Sequence, residues 1–304
     1  MGDVLRLIAR HGRAALVAGL LAGFLLPGVA QALVGSIPWL IACLLTVTAI
    51  RIGWRAAIGS VGDLTTTLRL VAIYQIGLPA LVMIPALALG LTGIPLVLAI
   101  ILLLSAPSVT GAPNFAILMG HDPAPALRLL ILGTAVFPLT VLPFLWVMPE
   151  FSDPLRLLAA GGRFFLLIGG AAALGFALRE VAGAPGPRGL EMLDGVAAIL
   201  LAVVVVGLMS AIGPALRSEP VTLLWWALAA IAINLGLQVA AGLILGRAPE
   251  TPARSIIAGN RNIALMLLAL PPETTTPLLI FIGCYQIPMY LTPIVMRPFY
   301  ARLA

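Results

Sequence analysis

The chain has 304 residues, 62% of them hydrophobic and only 9% charged, with a mean hydropathy of +1.15. So apolar a composition exceeds what a soluble core of ordinary proportions can bury, and it reads as an all-α protein that crosses a membrane several times. The 17 basic residues are all arginine and outnumber the 11 acidic ones, a net charge of +6 whose meaning depends on where the arginines stand.

About 20 apolar residues are needed to cross a bilayer. On that criterion the chain divides into ten spans at roughly 14–33, 37–57, 66–90, 94–119, 124–148, 155–178, 190–213, 221–245, 252–270 and 277–300. The connections are short, the longest polar one running from Arg179 to Asp194 through Pro185-Gly186-Pro187. Arg6, Arg10 and Arg13 precede an apolar run ending in Ala30-Gln31-Ala32, which has the form of a cleavable signal. A first span is expected instead, since cleavage would leave nine. Apart from Arg261, the other arginines fall at alternate connections, at Arg51, Arg55, Arg69, Arg128, Arg179, Arg188, Arg247, Arg254, Arg297 and Arg302. Arg156, Arg163 and Arg217 alone lie on the opposite side. The positive-inside rule then places both termini in the cytoplasm, in a bacterial inner membrane. This distribution accounts for the basic charge without a nucleic-acid partner. The two cysteines, Cys43 and Cys284, stand alone inside apolar runs and are expected in the core, forming neither a disulfide framework nor a zinc site.

Two stretches echo each other. Gly111-Ala112-Pro113-Asn114-Phe115-Ala116 in the fourth span and Gly259-Asn260-Arg261-Asn262-Ile263-Ala264 in the ninth share G-x-x-N, with the asparagines 148 positions apart. In the following spans Pro138 and Pro143 match Pro288 and Pro293, and in the preceding ones Tyr74-Gln75-Ile76-Gly77-Leu78 matches Ile233-Asn234-Leu235-Gly236-Leu237. Three collinear matches indicate a duplication, residues 1–150 and 151–304. Because each half holds five spans, the second half would enter from the opposite side, as an inverted repeat.

Irregular backbone at membrane depth is tolerated where it is buried in protein or lines a cavity. Pro107, Gly111 and Pro113 are therefore expected to break the fourth span and Gly259 the ninth, bringing half-helix ends and their dipoles to the midplane. The acidic residues, Asp194 included, all fall in termini, connections or span ends. Arg261 is the ionisable group expected deep inside a span. It is either a structural cation on half-helix carbonyls or a substrate-facing guanidinium for an organic acid. Ser105, Ser108 and Thr110 surround the first break, where hydroxyls usually bond the preceding turn. His11 and His121 are expected at headgroup level; Tyr74, Tyr285, Trp146, Trp225 and Trp226 fit interfacial belts or packing. No nucleotide, metalloprotease or nucleophile-elbow motif and no paired carboxylates occur, so the chain is not expected to be an enzyme.

Ten spans, an inverted repeat and breaks in spans four and nine resemble the bile acid:sodium symporter family over nearly the whole chain. That family's first crossing, P-G-G-x-x-S-N, is similar to Pro107 through Asn114 with one extra residue, and the Gly-Asp/Asn turn after it to Gly120 through Asp122. Its second crossing, E-x-G-x-Q-N, is similar to Ile257 through Asn262. The resemblance implies a panel domain of spans 1, 2, 6 and 7 against a core domain of spans 3–5 and 8–10, with substrate between them. Asn114, Asn262 and Gln75 would match positions around the family's two sodium sites. The departures matter more: the ligating Glu falls on Ile257, the Gln on Arg261, the Ser before the first Asn on Pro113, and two hydroxyl ligands on Ala126 and Leu130. Both sodium sites are thus expected to be dismantled, since hard cations need several oxygens and a guanidinium repels sodium.

The resulting expectation is a carrier of a small organic acid, working by alternating access without sodium or any other cofactor. Arg261 stands in for the cation, and Arg261, Asn114, Asn262, Thr110 and Asn260 form the substrate-binding set. Auxin-efflux-type carriers, a sodium-coupled symporter and a non-transporting receptor of the same fold are the alternatives.

Overall fold

A computed structural model describes residues 2–55, 61–147, 155, 159, 162–163, 165–268, 270 and 278–303. Arg156, Glu150, Asp153 and Glu273 lie outside the described residues, as does the side chain of Asn114. The described residues are overwhelmingly helical, and the sole β-pairing among them is one isolated antiparallel bridge. The chain is an all-α, membrane-embedded protein.

An amphipathic helix α1 (Gly2–Arg10) bends by 85° into α2 (Gly12–Leu25). At Leu26 the backbone leaves the helical region, as a residue before proline tends to, and Pro27 opens a new helix, α3 (Pro27–Ile52). The first boundary therefore lies at Leu26–Pro27 and not near residue 35. Gly35, Ser36 and Pro38 read as a turn in sequence, but Val34–Ser36 is a 3₁₀ turn that carries the helix on, and Pro38 sits in the first turn of the next segment, where its missing N–H is harmless. Then come α4 (Leu64–Ala88), α5 (Pro95–Ser105), α6 (Ala112–Met119) and α7 (Ala124–Thr140). The remainder is α8 (Gly170–Ala182), α9 (Pro187–Leu208), α10 (Pro220–Leu245), α11 (Thr251–Gly259), a 3₁₀ helix at Ile263–Leu268 and α12 (Leu279–Val295). Among the described residues, four helical stretches, Pro27–Ile52, Leu64–Ala88, Pro187–Ser218 and Pro220–Leu245, are each long and apolar enough to cross a bilayer.

Packing divides the helices into two groups. α2, α3, α8 and α9 pack on one another, whereas α4 packs on α5 and α7, and α10 on α11 and α12; α7 and α6 both contact α11. Some helices approach closely at glycines. A Cβ on Gly175 of α8 would collide with Thr46 O and Ala49 Cβ of α3, and one on Gly259 with Asn234 O of α10. The outward faces carry large apolar side chains such as Leu81, Leu166, Val181 and Ile244, as lipid contact requires. Cys284 is buried as expected, but Cys43 is exposed on the outer face of α3.

Candidate functional site

Among the described residues, the helical run is interrupted in the protein interior after α5 and after α11. Pro107 ends the first helix: Ala106 turns to extended backbone (φ −66°, ψ 150°), and five residues pass before α6 begins. Gly259 is the last helical residue of α11, and Asn260 breaks the run at φ −104°, ψ 87°. The two extended segments cross. Ser108 faces Arg261 in the antiparallel bridge, Val109 N donates to Asn260 O at 2.9 Å, and Asn262 N donates to Pro107 O at 2.8 Å. Backbone groups that would otherwise be unpaired at membrane depth satisfy each other.

The residues that pair across the crossing are not the ones the sequence echo aligns. Bridge and hydrogen bonds set Ser108 against Arg261, whereas the G-x-x-N match aligns Asn114 with Asn262 in sequence. The second G-x-x-N lies at the crossing; the first lies beyond it, with Gly111 in the turn and Pro113 and Asn114 already in the first turn of α6. Pro113 consequently starts a helix and does not break one.

Arg261 sits at the centre and is 1% exposed. Its Nε donates to Ala258 O at 2.9 Å, Nη1 to Ala106 O at 3.0 Å and Nη2 to Tyr74 O at 3.0 Å. Each acceptor is a carbonyl that its own helix leaves unpaired. Ala106 caps the C-terminus of α5 and Ala258 is the last residue but one of α11, where the helix dipole is negative. Tyr74 lies in a π-turn, Ile73–Gly77, in which Leu78 N reaches back to Ile73 O. In that register the partner for Tyr74 O would be residue 79, which is proline and has no N–H. The guanidinium supplies the missing donor, and its Cζ lies 5.2 Å from the Tyr74 ring centroid.

A fully buried amide and hydroxyl network surrounds the second break. Asn234 Nδ2 donates to Gly259 O at 2.5 Å, and the Tyr285 hydroxyl donates to the same oxygen. Asn260 Nδ2 donates to Ile256 O at 2.8 Å, while its Oδ1 accepts from Thr292 Oγ1 at 3.2 Å and from Asn234 Nδ2 at 3.3 Å. Gln238 Nε2 donates to Asn234 Oδ1 at 2.8 Å, and the Tyr300 hydroxyl donates to Gln238 Oε1 at 3.0 Å. Near the first break, Gln75 is buried and accepts from Thr140 Oγ1 at 2.9 Å. Ala126 and Leu130 on α7 and Ile257 on α11 are buried apolar side chains that present no oxygen.

Of the expected substrate-binding residues, Arg261 and Asn260 are thus enclosed and committed to internal partners, and Asn262 is partly exposed with its N–H in the crossing. Thr110 is different. It lines a crevice between α3, α7 and α9, and among the described residues its buried Oγ1 meets no hydrogen-bond partner. The crevice is small, about 20 Å³, and shares the wall residues Thr48 and Ile52 with an apolar cavity of about 220 Å³ that is also walled by Leu45, Leu130, Ile131, Pro138 and Phe176. Thr134 Oγ1, in the wall of that cavity, also meets no partner among the described residues.

Sequence reasoning missed two charged residues here. Asp194, expected in a connection or at a span end, lies within α9, seven residues past Pro187. It accepts from Arg51 of α3 through Nε and, at 3.3 Å, through Nη2. The signal was available, because Pro187 opens the helix earlier than the apolar run suggests. The amide pair Asn234 and Gln238, four apart on one face of an apolar helix, was equally legible as a buried polar stripe. Compared with models of known protein families and with curated protein sequences, the chain matches none.

Proposed function

We propose that this protein is a secondary carrier of organic anions that works by alternating access without sodium. The observation that carries this reading is the enclosure of Arg261 by the carbonyls of Ala106, Ala258 and Tyr74. Two converging half-helix C-termini create a site of negative potential that needs a cation. A tethered guanidinium fills it permanently, leaving no charge to be supplied from solution.

The crossing supports the finer architecture of ten spans in two inverted halves, 1–150 and 151–304. Its two hydrogen bonds exchange when the halves are swapped, since Pro107 corresponds to Asn260 and Val109 to Asn262, both 153 positions apart. An antiparallel contact with this reciprocity is what two oppositely inserted copies would make. The helix grouping supports a panel of spans 1, 2, 6 and 7 against a core of spans 3–5 and 8–10. The apolar cavity and its crevice then fall between panel helices α3, α8 and α9 and core helix α7. On this reading the chain is a divergent relative of the bile acid:sodium symporters, in a bacterial inner membrane with cytoplasmic termini. Carboxylate-bearing substrates would bind in the crevice while Arg261 holds the crossing together.

Purified protein in proteoliposomes tests this with a panel of radiolabelled organic acids. Accumulation that persists when choline replaces sodium is the expected result. Loss of accumulation in choline overturns sodium independence, and absence of flux for every acid overturns the carrier reading.

A further inference from the structure

We propose that Arg51 is the group that receives the substrate's carboxylate, and that Asp194 occupies this position on Arg51 whenever no substrate is bound. The inference rests on the organic-anion reading above and assigns its recognition residue.

Three guanidiniums come into question, and two are committed to the fold. Arg261 is enclosed on three backbone carbonyls. Arg179 of α8 donates through Nη1 to Ile50 O at 2.7 Å and Arg51 O at 2.6 Å, capping the end of α3. Arg51, in the last turn of α3, is held instead by the carboxylate of Asp194, in a two-point pair between Nε and Nη2 and the two carboxylate oxygens. The planar guanidinium fork fits any carboxylate in this way, so a substrate acid competes with Asp194 for the same face. The pair is only partly enclosed, with side chains 26% and 30% exposed, so exchange needs no unfolding.

The surroundings point to a ligand independently of the pair. Arg51 and Asp194 line the crevice together with Thr110, whose buried hydroxyl has no partner among the described residues. A second acceptor-bearing group bound at Arg51 would satisfy that hydroxyl. Pro113, in the first turn of α6, lines the same crevice and brings the positive end of that helix to it. Thr48, one turn before Arg51, stands in the wall of both the crevice and the apolar cavity, so a shift of that side chain would open the space beside Arg51 toward room for an apolar body. Asp194 also borders a separate cavity of about 150 Å³ with Gly12, Gly111 and Phe115, which provides space for its carboxylate once displaced.

The test measures binding of octanoate, with octanamide as the neutral control of equal tail length, by thermal stabilisation of the protein in nanodiscs. Wild-type protein should be stabilised by octanoate and not by octanamide. Arg51→Gln should weaken octanoate binding by roughly tenfold or more, as loss of a charge-assisted two-point contact does. Asp194→Asn should tighten it several-fold, because the resident competitor is gone. Thr110→Val should weaken it without lowering the melting temperature of the free protein. An Asp194→Asn protein that binds more weakly than wild type overturns the proposal, since a mere strut behaves that way, as does an Arg51→Gln protein that binds normally. If Arg51→Gln does not fold, Asp194→Asn and Thr110→Val carry the decision. Wild-type protein that neither binds octanoate nor moves any organic acid overturns the anion reading together with this assignment; acid flux with unchanged binding in Arg51→Gln overturns this assignment alone.

Discussion

Arg261 Nη1 donates to the carbonyl oxygen of Ala106 at 3.0 Å, joining the ends of two helices across 155 positions of sequence. With Ala258 O and Tyr74 O on the same guanidinium, one side chain fixes α5, α11 and the π-turn of α4 in place. Removing it leaves three buried carbonyls unpaired. Arg261→Gln is expected to lower stability by about 1–3 kcal/mol for each carbonyl that the shorter amide leaves unpaired. Arg261→Lys should rescue little, because an ammonium on a single stem does not span three divergent acceptors. Thermal unfolding in detergent, scored by loss of the monodisperse species, checks both variants.

Gly259 and Gly236 should respond oppositely to alanine. A methyl group on Gly259 would strike Asn234 O and Gln238 Cγ, so α10 and α11 must separate and the hydrogen bonds from Asn234 are lost. Gly236, two residues from Asn234 but on the open side of α10, has free space for 4 Å around the place a methyl group would take. Gly236→Ala should be neutral or stabilise by up to about 1 kcal/mol, through helix propensity, whereas Gly259→Ala should be strongly destabilising. Melting curves for the pair give the comparison.

The second-break network should show coupling. Asn234→Ala removes the donor to Gly259 O and the acceptor for Gln238, at a cost of about 1–3 kcal/mol for the groups left unpaired. Gln238→Ala should cost a similar amount through Asn234 and Tyr300. Because the two share a partner, the double variant should lose less than the sum, and a double-mutant cycle on unfolding midpoints measures the difference.

His121, in the turn between α6 and α7, packs edge-on against Tyr300 with ring centroids 6.3 Å apart, and burial holds its pKa below the ordinary 6.5. The unfolded chain therefore binds a proton at this residue more readily than the folded one. Its contribution should be constant above pH 6.5 and decline as pH falls below that value. His121→Gln should flatten this part of the stability profile, which melting scans from pH 5 to pH 8 would reveal as a smaller acid-side slope.

Composition, apolar runs and proline positions determined a great deal by themselves: an all-helical membrane protein, a break at Pro107, another at Gly259, and a buried guanidinium at Arg261. These follow from local rules. An apolar run of this length has no other stable form in lipid, and proline or glycine weakens a helix at the point where it occurs. The sequence echo aligned Asn114 with Asn262, but residue spacing does not report how much chain is used in an extended crossing, and the pairing of Val109 with Asn260 and of Asn262 with Pro107 emerged only from the hydrogen bonds. Likewise the pattern left Arg261 with two roles, and Asp194 looked like a connection residue. Tertiary structure decided these, because a charged side chain's function is set by which unpaired groups other helices bring within 3 Å of it. For Arg261 those are three backbone carbonyls, and for Arg51 they are a carboxylate that another carboxylate can replace.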